Sequence, residues 1–254
     1  MPRSHAAGGP MDSYELASMA TFKVWRRWFR FETEGFDVLR ETQTSLIVGY
    51  HGGPWTFDLW MLGDRMHDEL GYFPRAVWHW LWWAIPGLST AVGELGGLRG
   101  APTADEIDDL RSRGEHLIVA PGGMREAMRP FWAGGRVDLG DRRGYLRLAL
   151  QYDLPIIPVA ASGLDATFVG FNDGYRTSRR IFGRGDLPAW LAVGMAGIWP
   201  LALPFPAKIR QHIGEPIRLG ALPAVDEVER LEVAHELVAT TLQAMLDDLR
   251  AEHG

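Results

Sequence analysis

The 254-residue chain is long enough for one large domain or two small ones, and its 46 % hydrophobic and 23 % charged content is that of a globular protein with an extensive core. A net charge of −6 argues against a nucleic-acid-binding protein. The absence of cysteine excludes disulfides, thiolate metal sites, iron–sulfur clusters and cysteine nucleophiles.

Residues 1–18 lack the apolar core of a secretory signal and read as a flexible tail. Residues 19–31, MATFKVWRRWFRF, read as an amphipathic helix opening a single domain over 19–254. Lys23, Arg26, Arg27 and Arg30 fall within an arc of about 100° on an ideal helix. Phe22, Val24, Trp25, Trp28, Phe29 and Phe31 take the opposite half. A basic face against an aromatic face suits a helix lying in an anionic lipid interface. The same pattern suits a helix whose aromatic face packs on the protein core and whose arginines stay in water.

SLIVGYH, residues 45–51, reads as a buried strand closed by the Gly52-Gly53-Pro54 turn, and residues 56–70 as a helix with Thr56 at its N-cap. Four of the eleven tryptophans crowd into residues 78–83, as a core or interface cluster or as a membrane anchor. Helical patterns follow at 103–113 and 144–152, and apolar strand runs at 116–120 and 154–161. Residues 187–207 carry no charge, but four prolines argue against a spanning helix. A late strand within 207–217 and an amphipathic helix over 225–249 close the chain. Strands alternating with helices give an α/β domain with a central, largely parallel mixed sheet flanked by helices.

Several common chemistries are missing. There is no G-x-S-x-G elbow and no P-loop, His235 lacks the second histidine of a zincin, and GELGGLRG has the wrong spacing for a nucleotide loop. His51 stands where α/β folds place their sites, at the end of a buried strand, with Asp58 near the start of the next helix. The two read either as a general base with its orienting carboxylate or as a satisfied histidine beside a helix-start acid.

Four blocks in order give the chain a family look. His51 and Asp58, GELGGLR at 93–99, PGGMREA at 121–127 and LPIIPV at 154–159 resemble the glycerolipid (lysophospholipid) acyltransferase superfamily, over about residues 32–220. Six residues separate His51 from Asp58 where the family usually has four, and Gly122 stands where many members carry glutamate. The PGG-x-R-E form, with HGG after the histidine and IPG at 85–87, looks more like the branch of diacylglycerol-acyltransferase-like proteins and phytyl ester synthase.

The resemblance implies an O-acyltransferase that carries a fatty acyl group from an acyl thioester to the hydroxyl of a lipid acceptor. His51 would be the base and Asp58 its partner, as in a triad without the serine. The backbone N–H groups of Gly122, Gly123 and Met124 would stabilise the oxyanion. Arg99 and Arg125 are candidate clamps for phosphate on either substrate, with Glu126 a structural partner of Arg125. Acyl-CoA or an acyl-carrier protein would serve as co-substrate, with no metal and no other cofactor. The expected place is the cytoplasmic face of a membrane, held peripherally, and the expected acceptor a neutral or lysophospholipid-like alcohol. The alternatives are a lipid-binding protein on the same fold and a thioester hydrolase using water.

Overall fold

A computed structural model describes residues 13–78, 83, 88–183, 188–223 and 226–252. Residues 1–12 of the expected tail, Trp80 and Trp82 of the tryptophan cluster, and residues 85–87 lie outside them.

The strands are β1 (Glu32–Glu34), β2 (Leu46–Gly49), β3 (Arg75–Val77), β4 (Gly97–Leu98), β5 (Leu117–Val119), β6 (Ile156–Ser162), β7 (Val169–Gly170), β8 (Ala192–Val193) and β9 (Arg210–Ile213). Seven of them form one sheet in the order β1-β9-β6-β2-β5-β3-β4, while β7 and β8 pair as a separate antiparallel hairpin. β2 lies at the centre, parallel to both β5 and β6, with Ile47 opposite Ile118 and Ile157. β3 and β4 continue the parallel set, and β9 runs antiparallel to β6. The fold is therefore the α/β domain with a mostly parallel mixed sheet that the alternation of apolar runs predicts.

The helices are α1 (Ser13–Trp28), α2 (Asp37–Glu41), α3 (Phe57–Leu70), α4 (Leu88–Glu94), α5 (Ala104–Arg113), α6 (Gly123–Ala127), α7 (Gly144–Gln151), α8 (Gly174–Phe182) and α9 (Glu227–Ala251). Every side chain of β2 is buried, because helices cover both faces of the sheet. Leu46 and Val48 join the cluster that holds Val238, Leu242 and Leu246 of α9, whereas Ile47 joins Leu59, Leu62 and Met66 of α3. A capping box between Thr103 and Glu106 starts α5, and Gly71 and Gly114, both left-handed, end α3 and α5. No described helix is long and apolar enough to cross a membrane.

α1 departs from expectation in extent, and its environment is that of the second reading, a helix packed on the protein core. It begins at Ser13, inside the expected tail, and ends at Trp28, just before Arg30 adopts φ +45° and the chain turns into β1. Its aromatic face is protein core. Phe22 stacks on Trp60 at 4.8 Å between ring centroids, Trp25 lies 5.0 Å from Phe57, and Phe29 is fully buried. Arg26 binds the buried Asp64 at 2.9 Å and Asp68 at 3.1 Å, Lys23 binds Asp68 at 3.3 Å, and Arg30 donates to the Pro206 carbonyl. An apolar stripe looks the same whether protein or lipid covers it; here α3 covers it.

Candidate active site

β2 ends at Gly49. Tyr50 still bonds to β6 through the Val159 carbonyl, and His51 begins the loop beyond the carboxyl edge of the sheet. The loop is tight: a Cβ on Gly52 would lie 2.4 Å from the Tyr50 ring. It ends at Thr56, which occupies the N-cap position of α3 as expected but with φ +45°, and its side chain makes no capping bond. A non-glycine residue held left-handed beside a site stores backbone strain, typically about 1–3 kcal/mol.

His51 lines a cavity of about 510 Å³ together with Thr56, Trp60, Met124, Arg142 and Tyr145. Burial drives the imidazole down to a pKa of about 4; the backbone of Gly53 and of His51 itself opposes the shift, and Arg142 and Arg129 add to it. The ring is therefore neutral near pH 7 and able to accept a proton. Among the described residues its Nδ1 has no hydrogen-bond partner.

Asp58 is the second residue of α3 and is fully buried. Desolvation lifts its carboxyl to about 7, against the pull of the Leu59 and Asp58 backbone and the Gln211 amide. Gln211, buried on β9, donates to the Asp58 backbone carbonyl at 3.3 Å. Neither carboxylate oxygen of Asp58 has a hydrogen-bond partner among the described residues. The expected His51–Asp58 bond is thus not made in this conformation, although both ends of it are buried and unmatched. Six intervening residues, one of them left-handed Thr56, start α3 without turning the carboxylate onto the ring.

A different carboxylate holds the histidine. Glu126, buried in α6, accepts the His51 backbone N–H on Oε2 at 2.9 Å and the Asp138 N–H on Oε1 at 2.7 Å. Burial raises its pKa to about 7, with those two N–H groups opposing. Glu126 consequently does not pair with Arg125, and it does not line the cavity. The two glycines before it serve different neighbours. A Cβ on Gly122 would fall 1.9 Å from Glu126 Oε2, and one on Gly123, whose φ is +57°, would fall 2.4 Å from Arg142 Nη1.

Of the residues expected to meet substrate, Gly123 and Met124 line the cavity with His51. Gly122 does not, because it faces Glu126, and the Gly123 N–H already bonds to the Ala120 carbonyl, which removes it from the expected oxyanion set. Arg125 points outward and pairs with Asp138. Arg99 is exposed, with its guanidinium 4.6 Å from the Trp83 ring centroid. The cation at the cavity is Arg142, anchored by Nη1 on the Pro121 carbonyl at 2.8 Å. Behind His51, Arg129 donates to the Tyr50 hydroxyl at 2.8 Å and that hydroxyl to Asp165 at 3.1 Å. The GG-x-x-E spacing was the available signal for Glu126; Arg142 had none beyond its place before α7.

No protein-family model matches the chain. It is 30 % identical over 222 residues to a human protein described as a DGAT1/2-independent enzyme synthesizing storage lipids, a match covering 87 % of this chain and 62 % of that protein. It is 24 % identical over 170 residues to diacylglycerol O-acyltransferase 2 of Xenopus tropicalis, covering 60 % of this chain and 44 % of that one. The chain thus spans less than two thirds of the length of these relatives. Among solved structures, the 1-acyl-sn-glycerophosphate (LPA) acyltransferase PlsC from Thermotoga maritima superposes with a TM-score of 0.51 at 18 % identity, over 92 % of this chain and 84 % of that one, and so shares its fold. The sequence similarities and the shared fold agree with the superfamily resemblance of the four sequence blocks.

Proposed function

We propose that the protein is a lipid O-acyltransferase that moves a fatty acyl group from an acyl thioester, acyl-CoA or acyl-carrier protein, to the hydroxyl of a lipid acceptor. One observation carries the reading: a buried, neutral histidine at the carboxyl end of the central strand opens onto a largely apolar cavity with a guanidinium at its edge. The acceptor oxygen attacks the thioester carbonyl while the His51 ring takes its proton. The tetrahedral adduct then collapses, the C–S bond breaks, and the imidazolium returns the proton to the leaving thiolate. Arg142 serves the phosphates of the donor or acceptor. Asp58 acts by turning onto Nδ1 when substrate fills the cavity, which would raise the basicity of His51 above its resting value. The acceptor is a neutral or lysophospholipid-like alcohol, met at the cytoplasmic face of a membrane by a peripherally bound protein. No metal takes part.

The unmade His51–Asp58 bond favours a second reading, a lipid-binding protein on the same fold. Thioester consumption measured with and without monoacylglycerol, diacylglycerol or lysophosphatidate, with the products weighed by mass spectrometry, separates the two. Acceptor-dependent ester formation supports the transferase. Binding without turnover supports the second reading, and acceptor-independent turnover would make the protein a hydrolase.

A further inference from the structure

With α1 spent on the core, the uncovered apolar surface lies elsewhere. Of the twelve large hydrophobic side chains exposed among the described residues, ten belong to the stretch 131–203. They include Phe131, Trp132, Ile181, Phe182, Ile198 and Leu201, and Leu201 is 91 % exposed. One set of contacts ties these segments into a lobe. β7 pairs with β8, the Ala189 N–H reaches the Gly174 carbonyl of α8, and the Trp190 indole donates to the Arg129 carbonyl just before the Phe131 turn. The Met195 N–H and the Leu203 carbonyl close the far loop at 2.8 Å.

Two features say what covers this lobe. Residues 188–207 carry no charge, whereas α8 presents Arg176, Arg179 and Arg180, all exposed and none in an ion pair among the described residues. Uncharged apolar tips beside unneutralised guanidinium groups match a surface that is apolar inside and anionic at its edge. The lobe also leads inward. Pro200, Leu201, Leu203 and Pro204 form one wall of a second apolar cavity of about 530 Å³, and Trp60 lines both that cavity and the His51 cavity.

We propose that the β7–α8–β8 lobe is the bilayer-docking surface of this protein, with the loop 194–203 entering the acyl region and the α8 arginines resting on anionic headgroups. This rests on the proposed function only in taking a bilayer as the source of the lipid substrate. The second cavity then opens at the membrane and leads a hydrocarbon chain toward Trp60.

The test is co-sedimentation of the full chain with phosphatidylcholine vesicles, with and without phosphatidylserine, at several salt concentrations. Replacing Arg176, Arg179 and Arg180 together by glutamate should weaken binding to anionic vesicles roughly a hundredfold, at about 1 kcal/mol per cation, and abolish its salt dependence. The pair Ile198→Asp and Leu201→Asp, both already in water, should weaken it at least about tenfold for both vesicle types. Arg27→Glu on α1 should leave it within about twofold. Retained binding in both lobe variants, or its loss in Arg27→Glu, overturns the proposal. So does a wild-type dimer, seen in sedimentation velocity, that Leu201→Asp disperses while vesicle binding persists, because the lobe then covers a second copy. Vesicle binding is read without turnover, so a protein that docks as described but transfers no acyl group contradicts the proposed function alone.

Discussion

Replacing Gly122 by alanine isolates what holds His51 in place. The backbone there is already helical, with φ −59° and ψ −34°, so alanine fits the conformation and intrinsic propensity favours it by up to about 1 kcal/mol. The added methyl would nevertheless sit 1.9 Å from Glu126 Oε2 and 2.4 Å from its Cδ, so the carboxylate must leave. Leaving breaks the 2.9 Å bond from the His51 N–H, and a hydrogen bond to a charged group contributes roughly 1.5–3 kcal/mol. The orphaned N–H, in a buried loop, adds a cost of similar size. Net of propensity, Gly122→Ala should cost about 2–4 kcal/mol, read as a lower urea midpoint, with turnover falling as well. In a Glu126→Ala background the carboxylate is gone and only the Cβ of residue 126, 2.8 Å away, meets the methyl, so the same substitution should cost at least about 1 kcal/mol less than in wild type. Equal effects in the two backgrounds, or a stabilised Gly122→Ala, would refute the idea that Glu126 pins the histidine loop.

Three further tests probe other links. Asp58 is raised in the folded protein from 3.8 to about 7, so its contribution to stability is lost as pH rises between those values and the loss is complete above 7. Asp58→Asn should accordingly gain a few kcal/mol over wild type at pH 8 relative to pH 4 while losing turnover, and a pH-independent difference in urea midpoint would contradict that. Arg26→Ala leaves the buried Asp64 without its cation and should cost about 3 kcal/mol in thermal or urea unfolding; Lys23→Ala, at an exposed pair, should cost under about 1. Equal costs would remove the buried ion pair from the account of α1. Arg142→Ala should raise the KM for a phosphate-bearing substrate roughly tenfold, whereas Arg99→Ala and Arg125→Ala leave it nearly unchanged, and the reverse order would return the clamp to the outer arginines.

The sequence announced the centre of the fold because a strand buried on both faces must be apolar throughout. Leu46–Gly49, Leu117–Val119 and Ile156–Ser162 are such runs, and they lie side by side in the sheet. The edges were not legible. β1 is Glu-Thr-Glu and β4, at the other edge, is only Gly-Leu, the one too polar and the other too short for any period to show. His51 was readable from its place at a strand end, since chain connectivity alone carries it to the sheet edge. Arg142 was not, because its position depends on where α7 starts relative to the Pro121 carbonyl, a distance set by packing. Glu126 invited an error of another kind. Its neighbour Arg125 looked like its partner in sequence, yet successive helical residues point apart, and in α6 one faces Asp138 while the other reaches back to the strand end. The basic-aromatic stripe of α1 left two readings open for a physical reason as well, since amphipathy records an apolar neighbour without saying which one.

The central claim is that His51 is the base. It is tested most directly by single-turnover release of thiol from an acyl-CoA, with monoacylglycerol or a lysophospholipid as acceptor, in wild type and His51→Gln side by side. The account predicts a loss of roughly 10²–10⁴-fold in the rate of acyl transfer, with donor binding retained and the fold unchanged by circular dichroism. Transfer by His51→Gln within about tenfold of wild type would contradict it.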